Sequence, residues 1–312
     1  MAQHHQMMAL SSALLGMLVV NECTRPALSF SAIPAKKPIV VVGSVNADIF
    51  VNVGRLPLQG ETLKGTGGYV APGGKGANQA VAASMLGAPV SFAGIFGSDT
   101  HATMLRSTMQ EAGVNTELSG ISDGPSGQAI ILLEPDAMNS IVLIEGANGD
   151  WPAVLPSPLK QAITEAGYVL LQREVPERVN IEVARHAKEN GVSVLMDVGG
   201  DDGPLPSALL ECITCCCPNE TELNILTDMP TDSEEKIEAA ARKLQSFGVR
   251  EVLVTLGKDG SMVPSSPPSL PHPPLSLSLT LYRSPGRSST SLPAAPYITC
   301  TPLTRPPTDL TL

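Results

Sequence analysis

Apolar residues in this chain fall into two patterns, short continuous runs and longer stretches with the spacing of an amphipathic helix. The first run, at 39–43, is rich in β-branched residues and ends in glycine, which predicts a buried strand followed by a tight turn. From residue 158 onward, helical stretches alternate with short apolar runs at 168–171 and 193–197, a run that follows the helix at 204–211 and ends at Cys217, and a run at 251–255. Strands that alternate with helices predict an α/β fold with a doubly wound, mostly parallel sheet.

Shorter extended segments precede this regular region. They fall within about 46–70 and 126–147, and glycine and proline interrupt them. The second segment predicts a hairpin that turns across Pro135 and Asp136. Between the two segments, an alanine-rich stretch at 76–86 predicts a helix.

The two ends of the chain differ from its middle. Residues 1–37 contain one acidic residue, Glu22, and an apolar stretch at 7–20 that is too short to span a bilayer with normal margins. We expect a targeting segment, with an organelle (plastid) address favoured, and a disordered extension of a cytoplasmic protein as the alternative. Residues 264–312 are rich in proline and serine and have no strand or helix period, so we expect an extended tail that packs no core.

Composition narrows the classes of partner. The chain has 312 residues, 43% of them hydrophobic, which is enough for one or two cores. Its net charge of -10 argues against nucleic acid or an anionic membrane surface as the main partner, and a small soluble ligand fits better. The thiols of Cys215, Cys216 and Cys217 fall in a predicted strand, so we expect buried apolar side chains rather than a metal site.

The segment 73–80, Gly-Gly-Lys-Gly-Ala-Asn-Gln-Ala, carries the most chemical information. Paired glycines before a helix allow a ligand to approach the backbone and the first-turn amides. A nucleotide-type phosphate loop needs Ser or Thr after the lysine, and here Gly76 follows Lys75. Lys75 and Asn78 can both bind the hydroxyls of a polyhydroxylated ligand. The alternative is an ordinary helix start with an exposed lysine.

A second polar segment lies at 43–48, Gly-Ser-Val-Asn-Ala-Asp, directly after the first strand. It delivers an amide, Asn46, and a carboxylate, Asp48, to the edge of the sheet where ligands of open α/β folds bind. Asp48 can accept hydrogen bonds from two hydroxyls. The alternative is an Asx turn that only ends the strand.

Together these segments resemble the ribokinase-like members of the phosphofructokinase-B-like carbohydrate kinase family. The resemblance covers about 38–263, and its motifs lie at 43–48, 60–62, 73–80, 171–174, 218–222 and 254–260. It implies a ribokinase-like α/β domain with a small β lid, built from 46–70 and 126–147, that often pairs between two subunits. We therefore expect a homodimer formed through the lid.

The resemblance also implies an activity, ATP-dependent phosphorylation of D-ribose to ribose 5-phosphate, with Mg²⁺ and a monovalent cation, K⁺. The ribose hydroxyls would be bound by six residues: Asn46, Asp48, Gly74, Lys75, Asn78 and Glu174. ATP would be bordered by Asn219, Thr255 and Gly257, and Glu222 would organise Mg²⁺ through the hard oxygens this ion prefers. The alternative for Glu222 is a solvated charge that favours the first turn of a helix.

The chain departs from the family pattern after Gly260. Members carry a Gly-Ala-Gly-Asp segment that supplies the catalytic base and amides for the developing charge, and residues 261–312 contain no such segment. The run 199–202 comes too early, and Asp309 lies in the proline-rich tail. We therefore expect the C-terminal part of the fold to be missing and this chain to be inactive or nearly so. The alternatives are a sugar-binding or dimerising subunit without activity, and a non-functional truncated product.

Overall fold

The computed structural model describes residues 37–135, 138–201 and 203–264. The predicted targeting segment therefore lies outside the described residues except for Lys37, and the predicted tail lies outside them except for Pro264. Asp136, in the predicted turn, and Asp202 also lie outside them.

The described ranges form strands and helices that we number in chain order. The strands are β1 (Ile39–Val42), β2 (Asn46–Asn52), β3 (Gly67–Gly73), β4 (Val90–Ala93), β5 (Ile95–Phe96), β6 (Gly120–Ile121), β7 (Gly127–Leu133), β8 (Asn139–Ile144), β9 (Tyr168–Leu171), β10 (Ser193–Asp197), β11 (Cys215–Cys217), β12 (Glu251–Val252), β13 (Val254–Thr255) and β14 (Ser261–Met262). The helices are α1 (Lys75–Met85), α2 (Thr100–Glu111), α3 (Ser157–Glu165), α4 (Glu177–Glu189), α5 (Ser207–Leu210), α6 (Glu220–Thr227) and α7 (Glu234–Ser246).

A six-stranded parallel sheet forms the centre of the fold, in the order β12-β11-β10-β9-β1-β4. From β1 the chain first moves outward to β4 and later returns to β9 on the other side, so the winding direction reverses beside β1. This order confirms the predicted doubly wound, mostly parallel α/β fold.

The central strands are buried on both faces, as parallel sheets require. One core lies where α3 to α7 pack on the sheet, with Val40, Val169 and Met196 among its residues, and the other lies towards α1 and α2, with Val41 and Phe92. The three thiols of β11 are almost completely buried in these cores, which confirms their prediction as apolar side chains.

A second sheet has the order β3-β2-β7-β8 and lies in the segments predicted for the lid. β7 and β8 are antiparallel neighbours, so the predicted hairpin is confirmed. The first predicted segment, at about 46–70, is extended only at its two ends, because β2 stops at Asn52 and β3 runs from Gly67 to Gly73. The chain between β2 and β3 contains Pro57 and Gly60, which are poor strand residues.

Within the three described ranges, every helix is too short or too polar to cross a membrane.

Candidate functional site

The predicted site residues gather at the carboxyl-terminal edge of the central sheet, beside the reversal between β1 and β9. Open α/β folds bind ligands in the crevice that such a reversal creates. The amino-terminal end of α1 lies over this edge, because the turn after β1 contacts it directly: the Ala77 amide donates to the Ser44 carbonyl at 2.9 Å. The crevice therefore lies between one helix end and several strand ends.

Glycine at two positions allows α1 to begin this close to β1. Gly74 has a φ of 92°, and a Cβ there would lie 2.8 Å from the Asn46 backbone nitrogen. A Cβ on Gly76 would lie 2.7 Å from the Ser44 nitrogen. Side chains at either position would push the helix away from the strand, which explains why the glycines flank Lys75.

The carboxylate of Glu174 joins the helix start to β1 and β9. Its Oε2 accepts hydrogen bonds from Ser44 Oγ at 2.6 Å and from the Lys75 backbone amide at 3.1 Å. A carboxylate at a helix amino terminus is favoured by the unpaired amides there. Lys75 and Glu174, predicted to share a ligand, are thus neighbours.

The Lys75 ammonium lies between the Glu174 side of the site and α6. A Cβ on Gly199 would be 2.8 Å from Lys75 Nζ and 3.0 Å from Glu222 Oε1, so both groups lie beside this glycine. Burial alone lowers the pKa of Lys75, but the negative charges of Asp197, Glu174 and Glu222 outweigh burial and raise it. Lys75 is half-buried at the start of α1, so the alternative of an exposed lysine is wrong.

Asn46 and Asp48 lie two residues apart on β2 and therefore share one face of the strand. Burial, and secondarily the charge of Glu174, raise the pKa of Asp48 to about 7. The alternative of an Asx turn that ends the strand is wrong, because β2 continues through Asp48 to Asn52. Asn78 lies in the first turn of α1, where its backbone amide donates to the Gly74 carbonyl at 2.9 Å.

The residues predicted to face a nucleotide form a second group at the same edge. Asn219 caps α6, with Asn219 Oδ1 accepting from the Glu222 amide and Glu222 Oε2 accepting from the Asn219 amide, both at 2.8 Å. Asn219 also pairs with Thr255 in an isolated parallel bridge, and Gly257, with a φ of 54°, begins the following 3-10 turn. The structure therefore brings all four predicted residues of this group together.

Glu222 combines the two interpretations that the sequence left open. One carboxylate oxygen completes the helix cap, and the other lies near the Gly199 and Lys75 junction. Among the residues that the structure describes, no three His, Cys, Asp or Glu side chains form a metal-binding cluster. Mg²⁺ in phosphotransferases keeps several waters and takes one or two carboxylates plus phosphate oxygens, so the oxygen donors of Glu222 and Asn219 fit this ion.

Sequence reasoning missed Asp197, the buried carboxylate at the centre of the cluster. It is 2% exposed and accepts hydrogen bonds from Gln79 Nε2 at 3.0 Å and from the Gly199 amide at 2.9 Å. Burial raises the pKa of Asp197, and the charge of Lys75 offsets part of this shift. Its position in the sequence could have identified Asp197, because a charged residue that ends a buried strand faces the ligand edge of the sheet.

Two further polar residues were also missed. Gln172 Nε2 donates to Gln79 Oε1 at 2.6 Å and so extends the network around Asp197. Asn148 Nδ2 donates to Asn46 Oδ1 at 2.7 Å. Both contacts join residues far apart in the chain, and the local motifs gave no sign of them.

The chain is similar to known carbohydrate kinases. Residues 36–276 match the model of the pfkB family carbohydrate kinases. The chain is 43% identical over 228 residues to a ribokinase of Arabidopsis thaliana, covering 72% of this chain and 60% of the relative, and 35% identical to a ribokinase of Haemophilus influenzae, covering 73% and 74%. A solved structure of Arabidopsis thaliana ribokinase complexed with ribose and ATP is similar, with a TM-score of 0.70 and 42% identity, over 73% of this chain and 75% of that one.

The chain thus spans about 60% of the length of the curated Arabidopsis relative. The match to the family extends across the central sheet, the second sheet and both groups of site residues. The chain belongs to the pfkB family of carbohydrate kinases.

Proposed function

We propose that this chain carries the sugar site, and part of the ATP site, of a kinase that phosphorylates D-ribose to ribose 5-phosphate. The observation that carries the proposal is the position of Lys75, whose ammonium lies with Glu222 beside Gly199 while its backbone amide donates to Glu174. One residue thereby joins the sugar group of residues to the nucleotide group. Phosphoryl transfer depends on such positioning and on charge neutralisation.

The sugar side of the proposal uses the chemistry of hydroxyl recognition. Asp48 and Glu174 accept hydrogen bonds from hydroxyls, Lys75 and Asn78 donate, and Gly74 lets the ligand approach the backbone. Asn46 adds a carboxamide on the same strand face as Asp48. The names of two relatives, both ribokinases, and the ribose held by the similar solved structure favour ribose over other polyhydroxylated ligands.

The nucleotide side of the proposal uses Asn219, Thr255, Gly257 and Glu222. ATP is the phosphoryl donor that the similar solved structure contains. Mg²⁺, when bound, would neutralise phosphate charge, and Glu222 with Asn219 would hold its water shell. K⁺ belongs to the proposal through the family resemblance alone, and we assign no residue to it.

The 312-residue chain lacks one group that phosphoryl transfer requires. Transfer to a hydroxyl needs a carboxylate near the acceptor oxygen, and the residues after Gly260 contain no Gly-Ala-Gly-Asp segment. We therefore propose that this polypeptide binds ribose but phosphorylates it slowly or not at all. A sugar-binding subunit that pairs with a complete kinase is the second candidate function.

The exposed strand β8 favours that second candidate. Its residues Ile141, Val142, Leu143 and Ile144 are all exposed, although their side chains are large and apolar. Within the described part of the second sheet, β8 lies at one edge. An exposed apolar edge strand tends to pair with another chain or to aggregate unless another surface covers it. The proposed occupant is the same sheet of a second kinase chain.

Phosphorylation assays test the main proposal. The 312-residue chain and a chimera, in which residues after 263 are replaced by the C-terminal segment of the Arabidopsis relative, are assayed with ribose, ATP, Mg²⁺ and K⁺. Turnover by the chimera alone is the expected result, and Lys75→Met in the chimera should abolish it. Equal turnover by the unmodified chain would contradict the proposed need for the missing segment, and a chimera that folds but ignores ribose would contradict the substrate.

The compartment remains a separate proposal. We propose that residues 1–37 direct the protein to a plastid, because this segment is poor in acidic residues and precedes the folded domain. Residues 1–37 fused to a fluorescent protein should accumulate in plastids of plant cells. A diffuse cytoplasmic signal would favour the alternative.

A further inference from the structure

Asn148 is a buried residue that connects the second sheet to the proposed sugar site. It lies in the 3-10 turn Gly146–Gly149, directly after β8, and is 2% exposed. Its side chain makes two hydrogen bonds, both to the chain around β2. The Val45 amide donates to Asn148 Oδ1 at 2.9 Å, and Asn148 Nδ2 donates to Asn46 Oδ1 at 2.7 Å.

The direction of both bonds follows from the chemistry of the groups. The backbone N–H of Val45 can only donate, so Asn148 must turn its oxygen towards it. The Asn148 Nδ2 group then faces Asn46 and must find an acceptor there. Asn46 therefore presents its oxygen to Asn148, and its own Nδ2 remains for another partner.

The packing around the two amides holds them in this arrangement. Gly127 is the register partner of Asn46, and a Cβ on Gly127 would overlap both carboxamides. The turn itself is held by the Ala147 amide, which donates to the Pro125 carbonyl at 2.9 Å. Reversing one amide alone would bring two donors or two acceptors together in a buried space, which folded proteins avoid.

Asn46 shares its strand face with Asp48, and Asn46 itself is 5% exposed. Within the described ranges, no group accepts a hydrogen bond from Asn46 Nδ2. We propose that Asn148 is a positioning residue that sets the polarity of Asn46, so that Asn46 Nδ2 donates to an oxygen of the bound sugar.

This inference rests on the proposed function and deepens it. A sugar hydroxyl can accept a hydrogen bond from Asn46 and donate one to Asp48 at the same time. The position facing Asn46 needs only an acceptor, so a fluorine in place of that hydroxyl keeps one of its two bonds. If Asn46 instead turned Oδ1 towards the sugar, that position would need a hydrogen-bond donor, and a fluorine there would bind poorly.

The first test measures the orientation of the Asn46 and Asn148 carboxamides in the protein without ligand. In the full chain labelled with ¹⁵N, the Asn148 carboxamide hydrogens should exchange slowly with water and those of Asn46 faster. Asn148→Asp, studied above pH 8 where the new carboxylate is ionised, presents only acceptors. Asn46 must then reverse, so its carboxamide hydrogens should become protected. Unchanged exchange at Asn46 in this variant would overturn the proposal.

The second test measures sugar selectivity by calorimetry, with ribose and a series of its monofluoro-deoxy analogues. One analogue should keep measurable affinity for the wild-type chain, because its fluorine retains the bond from Asn46 and loses only the bond to Asp48. That analogue should lose about tenfold more affinity than ribose in Asn148→Asp. Asn46→Asp should show the same loss, because its free carboxylate oxygen also replaces the donor.

A matched control separates polarity from added charge and from support of the fold. Asn115 also binds a backbone amide through Oδ1, that of Glu117 at 2.8 Å, but it is exposed and lies outside the site, so Asn115→Asp should leave selectivity unchanged. An equal loss for every sugar in Asn148→Asp would reduce Asn148 to structural support and overturn the proposal. A wild-type chain that binds no ribose would contradict the proposed function, and the exchange measurement would still decide the polarity.

Discussion

Gln79 on α1 donates a 3.0 Å hydrogen bond to Asp197 at the end of β10. The two residues are 118 positions apart in the sequence. The Gly199 amide donates to the other oxygen of the same carboxylate at 2.9 Å. Asp197 is thereby satisfied although it is fully buried, and its charge stabilises the ammonium of Lys75. The pair fixes the helix that carries the glycine and lysine motif to the strand that ends at the site.

Replacing Asp197 by asparagine tests this relationship. The new amide group must face either Gln79 Nε2 or the Gly199 amide, both donors, and Lys75 loses one compensating charge. We expect the free energy of unfolding to fall by about 1–3 kcal/mol and ribose binding to weaken. Urea denaturation of Asp197→Asn, compared with Asp201→Asn at an exposed carboxylate, measures the first effect. Equal stability of the two variants would contradict it.

Asp48 predicts a dependence of stability on pH. Its pKa is raised from 3.8 to about 7, so the folded protein holds this proton over a pH range in which the unfolded chain has released it. The stabilisation from this group is therefore complete below pH 3.8 and is lost as the pH rises to about 7. Asp48→Asn removes the ionisation, and its stability relative to wild type should rise between pH 5 and pH 8.

Ionisation of Asp48 should affect ribose affinity in the opposite direction from stability, so that affinity increases as the pH rises. Sugar hydroxyls that donate to the Asp48 carboxylate favour its ionised form and lower its pKa. Ribose binding near pH 6.5 should therefore release a proton, and affinity should increase as the pH rises towards 8. Calorimetry in buffers of different ionisation enthalpy measures the release, which Asp48→Asn should abolish. Proton uptake on binding would contradict the assignment.

Gly199 predicts a purely steric effect on both halves of the site. A Cβ there would lie 2.8 Å from Lys75 Nζ and 3.0 Å from Glu222 Oε1, so Gly199→Ala must displace at least one of them. We expect ribose and Mg-ATP each to bind about tenfold more weakly, a change of about 1.4 kcal/mol. Gly54→Ala is the control, because a Cβ on Gly54 meets nothing within 4 Å. A loss confined to one ligand would contradict the shared junction.

The sequence predicted much of this site because its motifs are local. Three local patterns can each be recognised within a few residues: the glycines that flank Lys75, the Asn219 and Glu222 pair, and the segment after the first strand that contains Asn46 and Asp48. Asp197 and Asn148 act across contacts that span 118 and 102 residues, and no periodicity or motif reveals such pairs. The Asx-turn alternative for Asp48 is wrong for a related reason: pairing with β3 and β7 places Asp48 inside a separate strand, β2, that begins after β1 has ended.

Glu222 predicts a separation of stability from nucleotide binding. Its Oε2 caps α6, and glutamine can supply the same acceptor, so Glu222→Gln should change the free energy of unfolding by less than about 0.5 kcal/mol. Loss of the charge should nevertheless weaken Mg-ATP binding about tenfold while binding of ATP without Mg²⁺ changes little. Glu220→Gln, in the same helical turn, is the matched control. Equal effects of the two variants would favour a role for Glu222 in the helix cap alone.

The exposed apolar face of β8 predicts self-association through the second sheet. Val142 is 59% exposed, and Val142→Glu places a charge where two copies of the strand would meet, so it should shift the protein towards a monomer. Val154→Glu makes the same substitution at a residue that is 64% exposed and lies outside the sheet, so it should leave the assembly unchanged. Light scattering coupled to size-exclusion chromatography measures the mass of each. A monomeric wild-type chain would contradict the dimer, and an unaffected dimer in Val142→Glu would require a different surface.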